Sequence, residues 1–298
     1  MGQNLRDIRR RIRGVRNIQQ VTRAMDMVAS ARLRRAQARV EAARPYSERM
    51  QEILRDLQAI VASLDHPLLR ARPVARAGIV VLTSDRGLCG AYNSNVLREA
   101  ELLIESLGQT PYGVIAIGRK GIGYYRRHAA PLDTAFPSPG TRPTLEEIRA
   151  IAQHLIGAYL AGQYDRIDLV FTRFVSTMRG EPVSVPLLPL ARPGAGREAA
   201  PGPLGPVPDY LFEPSAAEVL GQLLPQYVEV LVQRALLDAV ASEQAARMVA
   251  MRNATDNAND LILELTKTYN RVRQTSITTQ ILEVVSGANA LREAHDRE

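Results

Sequence analysis

Ser84-Asp85-Arg86-Gly87-Leu88-Cys89-Gly90 is the segment of this chain whose residue types come nearest to chemistry. It follows a short apolar run and precedes a helical pattern, which is where α/β folds place their ligands. Two glycines there would let backbone donors approach a phosphate, and Cys89 near Arg86 has the ingredients of an activated nucleophile. Neither chemistry is completed by its neighbours. The glycine spacing is not that of a dinucleotide fingerprint, and no acidic residue ends a second strand where a ribose would need one. Gly118-Arg119-Lys120-Gly121-Ile122-Gly123 lacks the Lys-Ser/Thr pair and the four-residue gap of a P-loop. The histidines at 66, 128, 154 and 295 share no metal-ligand spacing, and none pairs with Cys89. Asn253-Ala254-Thr255 matches a glycosylation acceptor, yet the charged start of the chain carries no secretory signal. The expectation is no catalytic residue, no cofactor and no metal, with Cys89 a small residue filling a tight strand-to-helix turn.

What remains is the chemistry of surfaces. Twelve arginines against Asp7, Asp26 and Glu41 give residues 1–44 a charge of +9, in a chain of +7 overall. A basic arm of this kind suits nucleic acid, an anionic membrane surface or an acidic protein. At the other end, Glu283 is the only charged residue between Arg273 and Arg292. A helix end nearly free of charge is expected to be covered, by another molecule or by the chain's own middle region. Cys89 is the only cysteine, so an internal disulfide is impossible and a reducing compartment is expected. No run approaches eighteen apolar residues, so no membrane span is expected.

Such surfaces need long elements to carry them. Apolar residues recur at Leu5, Ile8, Ile12, Val15, Ile18, Val21 or Thr22, Met25, Val28 or Ala29, Leu33, Ala36 and Val40. Steps of three and four place them on one stripe of a long helix. Pro45 is expected to loosen that helix, and His66-Pro67 to end it. A second stripe runs through Ala246, Val249 or Ala250, Ala254, Ala258, Leu261, Ile262, Leu265, Tyr269, Val272, Ser276, Thr279, Leu282 and Val285, after an N-cap candidate at Ser215. Two such helices bury their stripes most simply against each other, antiparallel, with small residues at 246, 250, 254 and 258 letting the axes approach.

The middle alternates apolar runs (78–83, 113–117, 167–171) with helical patterns (94–107, 144–161), and Thr144 with Glu147 suggests a capping box. That alternation predicts a small, mostly parallel sheet, and Pro182, Pro186 and Pro189 put 183–190 at its edge. The expected class is α/β: a long antiparallel coiled coil of the N- and C-terminal helices with an inserted Rossmann-like domain. The expected boundaries are 1–64 for the N-terminal coiled-coil helix and 77–190 for the α/β domain. A Pro/Gly-rich linker at 191–209 and the C-terminal coiled-coil helix at 210–298 complete them.

Several motifs together resemble the ATP synthase gamma subunit family. At the N-terminus they are Ile8-Arg9-Arg10-Arg11-Ile12, Thr22-Arg23-Ala24-Met25-Asp26-Met27-Val28-Ala29 and Arg44-Pro45-Tyr46. The 84–90 segment is similar to that family's central motif. The most specific is Ser242-Glu243-Gln244-Ala245-Ala246-Arg247-Met248, continuing through Ala258 to Tyr269-Asn270-Arg271, Gln274-Thr275-Ser276-Ile277-Thr278 and Glu283-Val284-Val285-Ser286-Gly287-Ala288. The likeness runs in order along the whole chain.

The resemblance implies the central stalk, or rotor, of a proton-translocating ATP synthase of bacterial type. Its paired terminal helices would stand inside a ring of alpha and beta subunits that hold the nucleotides. Its α/β domain would lie near the epsilon subunit and the membrane ring of c subunits. Rotation would couple proton flow to ATP synthesis and regulate ATPase activity, with no catalysis by the chain itself. Carried over onto matching residues, Met25 would lie by the acidic lever of a beta subunit, while Arg247, Gln274 and Thr278 would touch the loops gripping the shaft. Arg86 and Cys89 would face beta, and Glu283 would join the contact with the head. Tyr210, Phe212 and Glu213 would face the c ring and epsilon. No nucleic acid is implied as a partner, and the membrane is met only through the complex, on the cytoplasmic face of a bacterial plasma membrane. Ala91-Tyr92-Asn93-Ser94-Asn95 is bulkier than the family's common Gly-Leu-Asn-Thr-Asn. The linker before Asp209 has no clear counterpart, and the dithiol insert of chloroplast members is absent.

Overall fold

The computed structural model describes residues 5–56, 66–190 and 216–295. Helix α1 spans Leu5–Asp56, and a 3-10 turn at Pro67–Leu69 is capped by the His66 ring, which accepts the Leu68 N–H. Then follow β1 (Ala77–Leu82), α2 (Tyr92–Ser106), β2 (Tyr112–Ile117), α3 (Arg119–Arg127) and β3 (Leu132–Phe136). After these come α4 (Leu145–Leu160), β4 (Arg166–Phe174), β5 (Gly180–Leu188) and α5 (Ala216–His295). Contacts divide the chain into two units: Val28–Val249, and Met1–Met27 together with Ala250–Glu298.

Within Val28–Val249 the sheet order is β3-β2-β1-β4-β5. The first four strands are parallel, and β5 returns antiparallel along β4 at the edge. Every residue of β1 is buried. One face meets Ile148, Ile151, Leu155 and Tyr159 of α4, and the other meets Val96 and Ala100 of α2. Cover on both sides explains why these strands read as continuous apolar runs without alternation. The capping box at Thr144 is formed, with Thr144 Oγ1 accepting the Glu147 N–H at 3.2 Å and Glu147 Oε2 accepting the Thr144 N–H at 2.8 Å. Pro182 and Pro186 sit on edge strand β5, where a missing donor leaves no central ladder bond unmade.

Two elements carry no apolar run or helical stripe in the sequence. β3 is short and alternates half-buried with exposed positions, so it offers no apolar run to detect. Helix α3 carries Gly121 and Gly123, poor helix formers, and is anchored by buried Tyr125. Helix α1 also stays helical through Pro45, so loss of one backbone donor does not end it.

Helix α5 changes role along its length inside this unit. Leu220, Leu224, Val228, Val232 and Leu236 recur every four residues and are buried in the sheet's own core, beside Met50 and Leu54 of α1. Farther on, Val240 and Ala241 pack with Ala36, and Ala245 and Met248 with Ala29 and Leu33. The close approach therefore runs through Ala241 and Ala245, while Ala246 and Ala250 are only half-buried.

The other unit pairs residues 5–27 of α1 antiparallel with α5 from residue 250 onward. Ile8 and Ala258 are buried, but the contacts across the seam are largely polar. Thr22 Oγ1 meets Thr255 Oγ1 at 2.8 Å, Gln19 donates to the Asn259 side chain, and Arg9 donates to the Tyr269 hydroxyl at 2.5 Å. Asp26 and Arg252 form an ion pair at 3.9 Å.

Candidate functional site

Gly118 starts the construction of the loop after β1. Its φ of +96° suits glycine, and a Cβ there would lie 2.2 Å from the Thr83 carbonyl oxygen. That close approach brings the N-terminus of α3 onto the end of β1. The Arg119 N–H donates to Asp85 Oδ1 at 2.9 Å, the Lys120 N–H to the Ser84 carbonyl at 3.1 Å, and the Gly121 N–H to Thr83 Oγ1 at 2.8 Å. These are the donors that a helix start offers to a phosphate. Here the chain's own loop occupies them, so the N–H groups of Arg119, Lys120 and Gly121 are engaged by Asp85, Ser84 and Thr83.

The loop is equally closed from the other side. Asn93 of α2 accepts the Ser84 N–H at 3.0 Å and donates to Ser84 Oγ at 2.9 Å and Cys89 Sγ at 3.2 Å. Ser84 Oγ in turn donates to the Arg86 carbonyl at 2.7 Å. Cys89 is 1% exposed. Burial pushes its thiol above the ordinary value, against the opposing pull of Ser84 and Arg247, so the thiolate needed for nucleophilic attack is disfavoured.

Arg247 of α5 ties down the loop's carbonyls. Its Nη1 lies 2.6 Å from Glu243 Oε1, and its Nη2 is 3.4 Å from both the Arg86 and the Gly87 carbonyl oxygens. Both partners of this i,i+4 pair are largely buried. Burial raises the Glu243 carboxyl above the usual range and Arg247 opposes that shift. Leu88, by contrast, stands at φ +62° and is 63% exposed. A left-handed leucine costs roughly 1–2 kcal/mol, and the fastenings on either side hold it there.

The residues singled out from sequence therefore fall into groups. Arg86, Cys89 and Arg247 come together at this loop; Arg86 is exposed, but Cys89 and Arg247 are buried in the isolated chain and face inward. Met25 is half-buried on α1, and Gln274, Thr278 and Glu283 are exposed on α5. Thr278 Oγ1 donates to the Gln274 carbonyl at 3.0 Å. Tyr210, Phe212 and Glu213, the linker 191–209 and the N-cap candidate Ser215 lie outside the described residues. Sequence reasoning gave no role to Glu243, Asn93 or Leu88. Glu243 was legible in its i,i+4 spacing from Arg247; Asn93 and Leu88 carry no such signal.

The tip of α5 is a different kind of surface. Residues 277–288 are all exposed, and they include Ile277, Ile281, Leu282, Val284 and Val285. Among the described residues no cluster of His, Cys, Asp and Glu is arranged for a metal, and no helix is long and apolar enough to cross a membrane.

Comparison with known proteins agrees across the chain. The family model described as ATP synthase matches residues 4–291. An ATP synthase gamma chain of Desulfitobacterium hafniense is 46% identical over 288 residues, 96% of this chain and 98% of that one. Its namesake in Moorella thermoacetica is 44% identical over 289 residues, covering 97% and 99%. Among solved structures, the central stalk/c-ring of Tetrahymena thermophila mitochondrial ATP synthase contains a chain that is 27% identical, with a TM-score of 0.59, over 78% of this chain and 99% of that one. A chain in the OSCP/F1/c-ring of Euglena gracilis mitochondrial ATP synthase shares the fold, at a TM-score of 0.69 and 18% identity, over 96% and 94%.

Proposed function

The chain belongs to the ATP synthase gamma chain family, and from that membership we propose how its surfaces do their work. It is the central-stalk rotor subunit of a proton-translocating ATP synthase, and its rotation couples proton flow to ATP synthesis. In our reading it makes no bond itself. The nucleotides belong to alpha and beta subunits, and the stalk also meets epsilon and the c ring. The working position is the cytoplasmic face of a bacterial plasma membrane, held there through the complex.

The single observation that carries the head contact is the exposed apolar end of α5, residues 277–288. Large apolar side chains left in water favour association. Because that stretch holds one charged side chain, Glu283, few ion pairs would lock it at any one angle. An asymmetric helix pair in a threefold collar meets each beta subunit differently at a given moment. Its angle thus biases which catalytic site is open or closed, by differential contact with the alternative states. Met25 and the exposed arginines of α1 would face acidic levers, where solvated pairs of about 0–1 kcal/mol exchange readily. Gln274, Thr278 and Glu283 would lie in the collar. Arg86 and Leu88 would form the outward surface near the base, with Arg247 and Cys89 holding that loop from within. Tyr210, Phe212 and Glu213 are assigned to the foot by family resemblance alone.

Co-purification of the chain with alpha and beta subunits, followed by ATPase assay with and without it, tests this reading. The expected result is a stable complex whose turnover depends on the chain. A chain that neither joins the head nor alters its ATPase would sink the proposal.

A further inference from the structure

Asp238 plays no part in the functions assigned above. It lies on α5 at 6% exposure and lines a cavity of about 400 Å3. The other charged residues lining that cavity are exposed and come from three elements: Glu41, Arg44 and Glu48 from α1, Arg173 from β4, and Arg234 from α5 itself, with the three arginines acting on Asp238. Among the described residues, Asp238 has no hydrogen-bond or ion-pair partner, and Arg173 and Arg234 form no ion pair. Arg44 reaches Glu48 only at 3.9 Å. With Asp238 ionised, three arginines face three carboxylates and the lining is neutral. With Asp238 protonated, the lining carries +1 and a buried O–H donor replaces an acceptor.

We propose that this cavity is an oxyanion site gated by Asp238: a neutral carboxyl lets Arg44, Arg173 and Arg234 take up a tetrahedral anion, and the carboxylate repels it. Guanidinium groups suit such a ligand, because their planar forks donate paired hydrogen bonds to two oxygens at once. Burial pushes Asp238 up to about 6, against the pull of Arg234, Arg173 and Arg44. The gate therefore operates close to neutral pH. Binding and protonation reinforce one another, since a ligand that prefers the neutral form raises the affinity for the proton by the same factor.

Sulfate is the suitable probe because, unlike phosphate, it keeps one charge state throughout the range. Calorimetric titration of the full chain should show saturable uptake at pH 5.0 and about thirtyfold weaker uptake at pH 7.5, the ratio of neutral carboxyl for a group titrating near 6. Asp238→Asn should bind at pH 7.5 as the native chain does at 5.0, and lose the pH dependence. Arg173→Gln and Arg234→Gln should each weaken binding tenfold or more at pH 5.0. A parallel titration with AMP distinguishes a free anion from a carried phosphoryl group; tighter sulfate supports the small-ion site, and exclusive AMP binding overturns it. No saturable sulfate uptake at pH 5.0, or uptake that ignores pH, overturns the proposal. Where Asp238→Asn fails to fold by circular dichroism, the native pH profile and Arg173→Gln decide: binding indifferent to both refutes the site.

Discussion

The two units hold α1 against α5 by different means. Within Val28–Val249 the contact is apolar, with Ala29, Leu33 and Ala36 against Val240, Ala241, Ala245 and Met248. In the other unit the same two helices meet through Thr22 and Thr255, Gln19 and Asn259, Arg9 and Tyr269, and Asp26 and Arg252. Apolar burial contributes roughly 25 cal/mol per Å2, whereas a hydrogen bond exchanged with water nets about 0.5–1.5 kcal/mol. The apolar seam thus supplies cohesion, and the polar seam mainly sets register. Asp26 Oδ1 is even left buried without a partner, a cost that a seam selected for stability alone would avoid. A pairing of that kind suits a segment expected to work inside a collar of other subunits.

The comparison breaks most visibly at Leu33. Leu33→Ala removes a buried side chain from the apolar seam and should lower stability by about 2–4 kcal/mol, read by urea denaturation of the full chain. A loss below about 1 kcal/mol would mean the seam is not the source of cohesion. Next in size is Arg247→Ala, which leaves the Glu243 carboxyl buried and unpaired at a cost of about 1–3 kcal/mol. It should also loosen the 84–90 loop, seen as faster alkylation of Cys89 by iodoacetamide. Unchanged alkylation would disprove the fastening.

The polar seam should respond weakly. Thr22→Val keeps the shape and deletes one hydroxyl, while Thr255 retains its bond to the Met251 carbonyl, so a change of at most about 1 kcal/mol is expected. A larger loss would make the two seams equivalent. Smallest of all in stability is Ile281→Ser with Leu282→Ser at the exposed tip. It should fall within about 0.5 kcal/mol of the native chain, while the chain-dependent ATPase of the reconstituted head falls. Loss of stability without loss of ATPase would remove the tip from the proposed contact.

Much of this was readable from the residues, and the failures have causes. The stripe Ile8, Ile12, Val15, Met25, Leu33 and Ala36 turns inward as its spacing implied, and of the paired alternatives Thr22 and Ala29 are the buried ones; Ile18 on α1 and Leu261, Thr279, Leu282 and Val285 on α5 are exposed instead. A count of apolar residues cannot see a seam built from hydroxyls and amides. The parallel sheet was legible because its strands are apolar on both faces; β3 and α3 were not, since their sequences are respectively alternating and glycine-bearing. At the 84–90 loop the glycines and Cys89 were legible, but not the contacts that fasten them. The engagement of the Arg119, Lys120 and Gly121 N–H groups by Asp85, Ser84 and Thr83 exists only in three dimensions.

That engagement has a mechanical meaning. A corner of the sheet able to grip a diffusible ligand would change stiffness each time the ligand left. Here the same hydrogen-bonding capacity joins β1, α2, α3 and α5 permanently within one chain. The stiffness of this joint therefore rests on groups that the chain itself supplies.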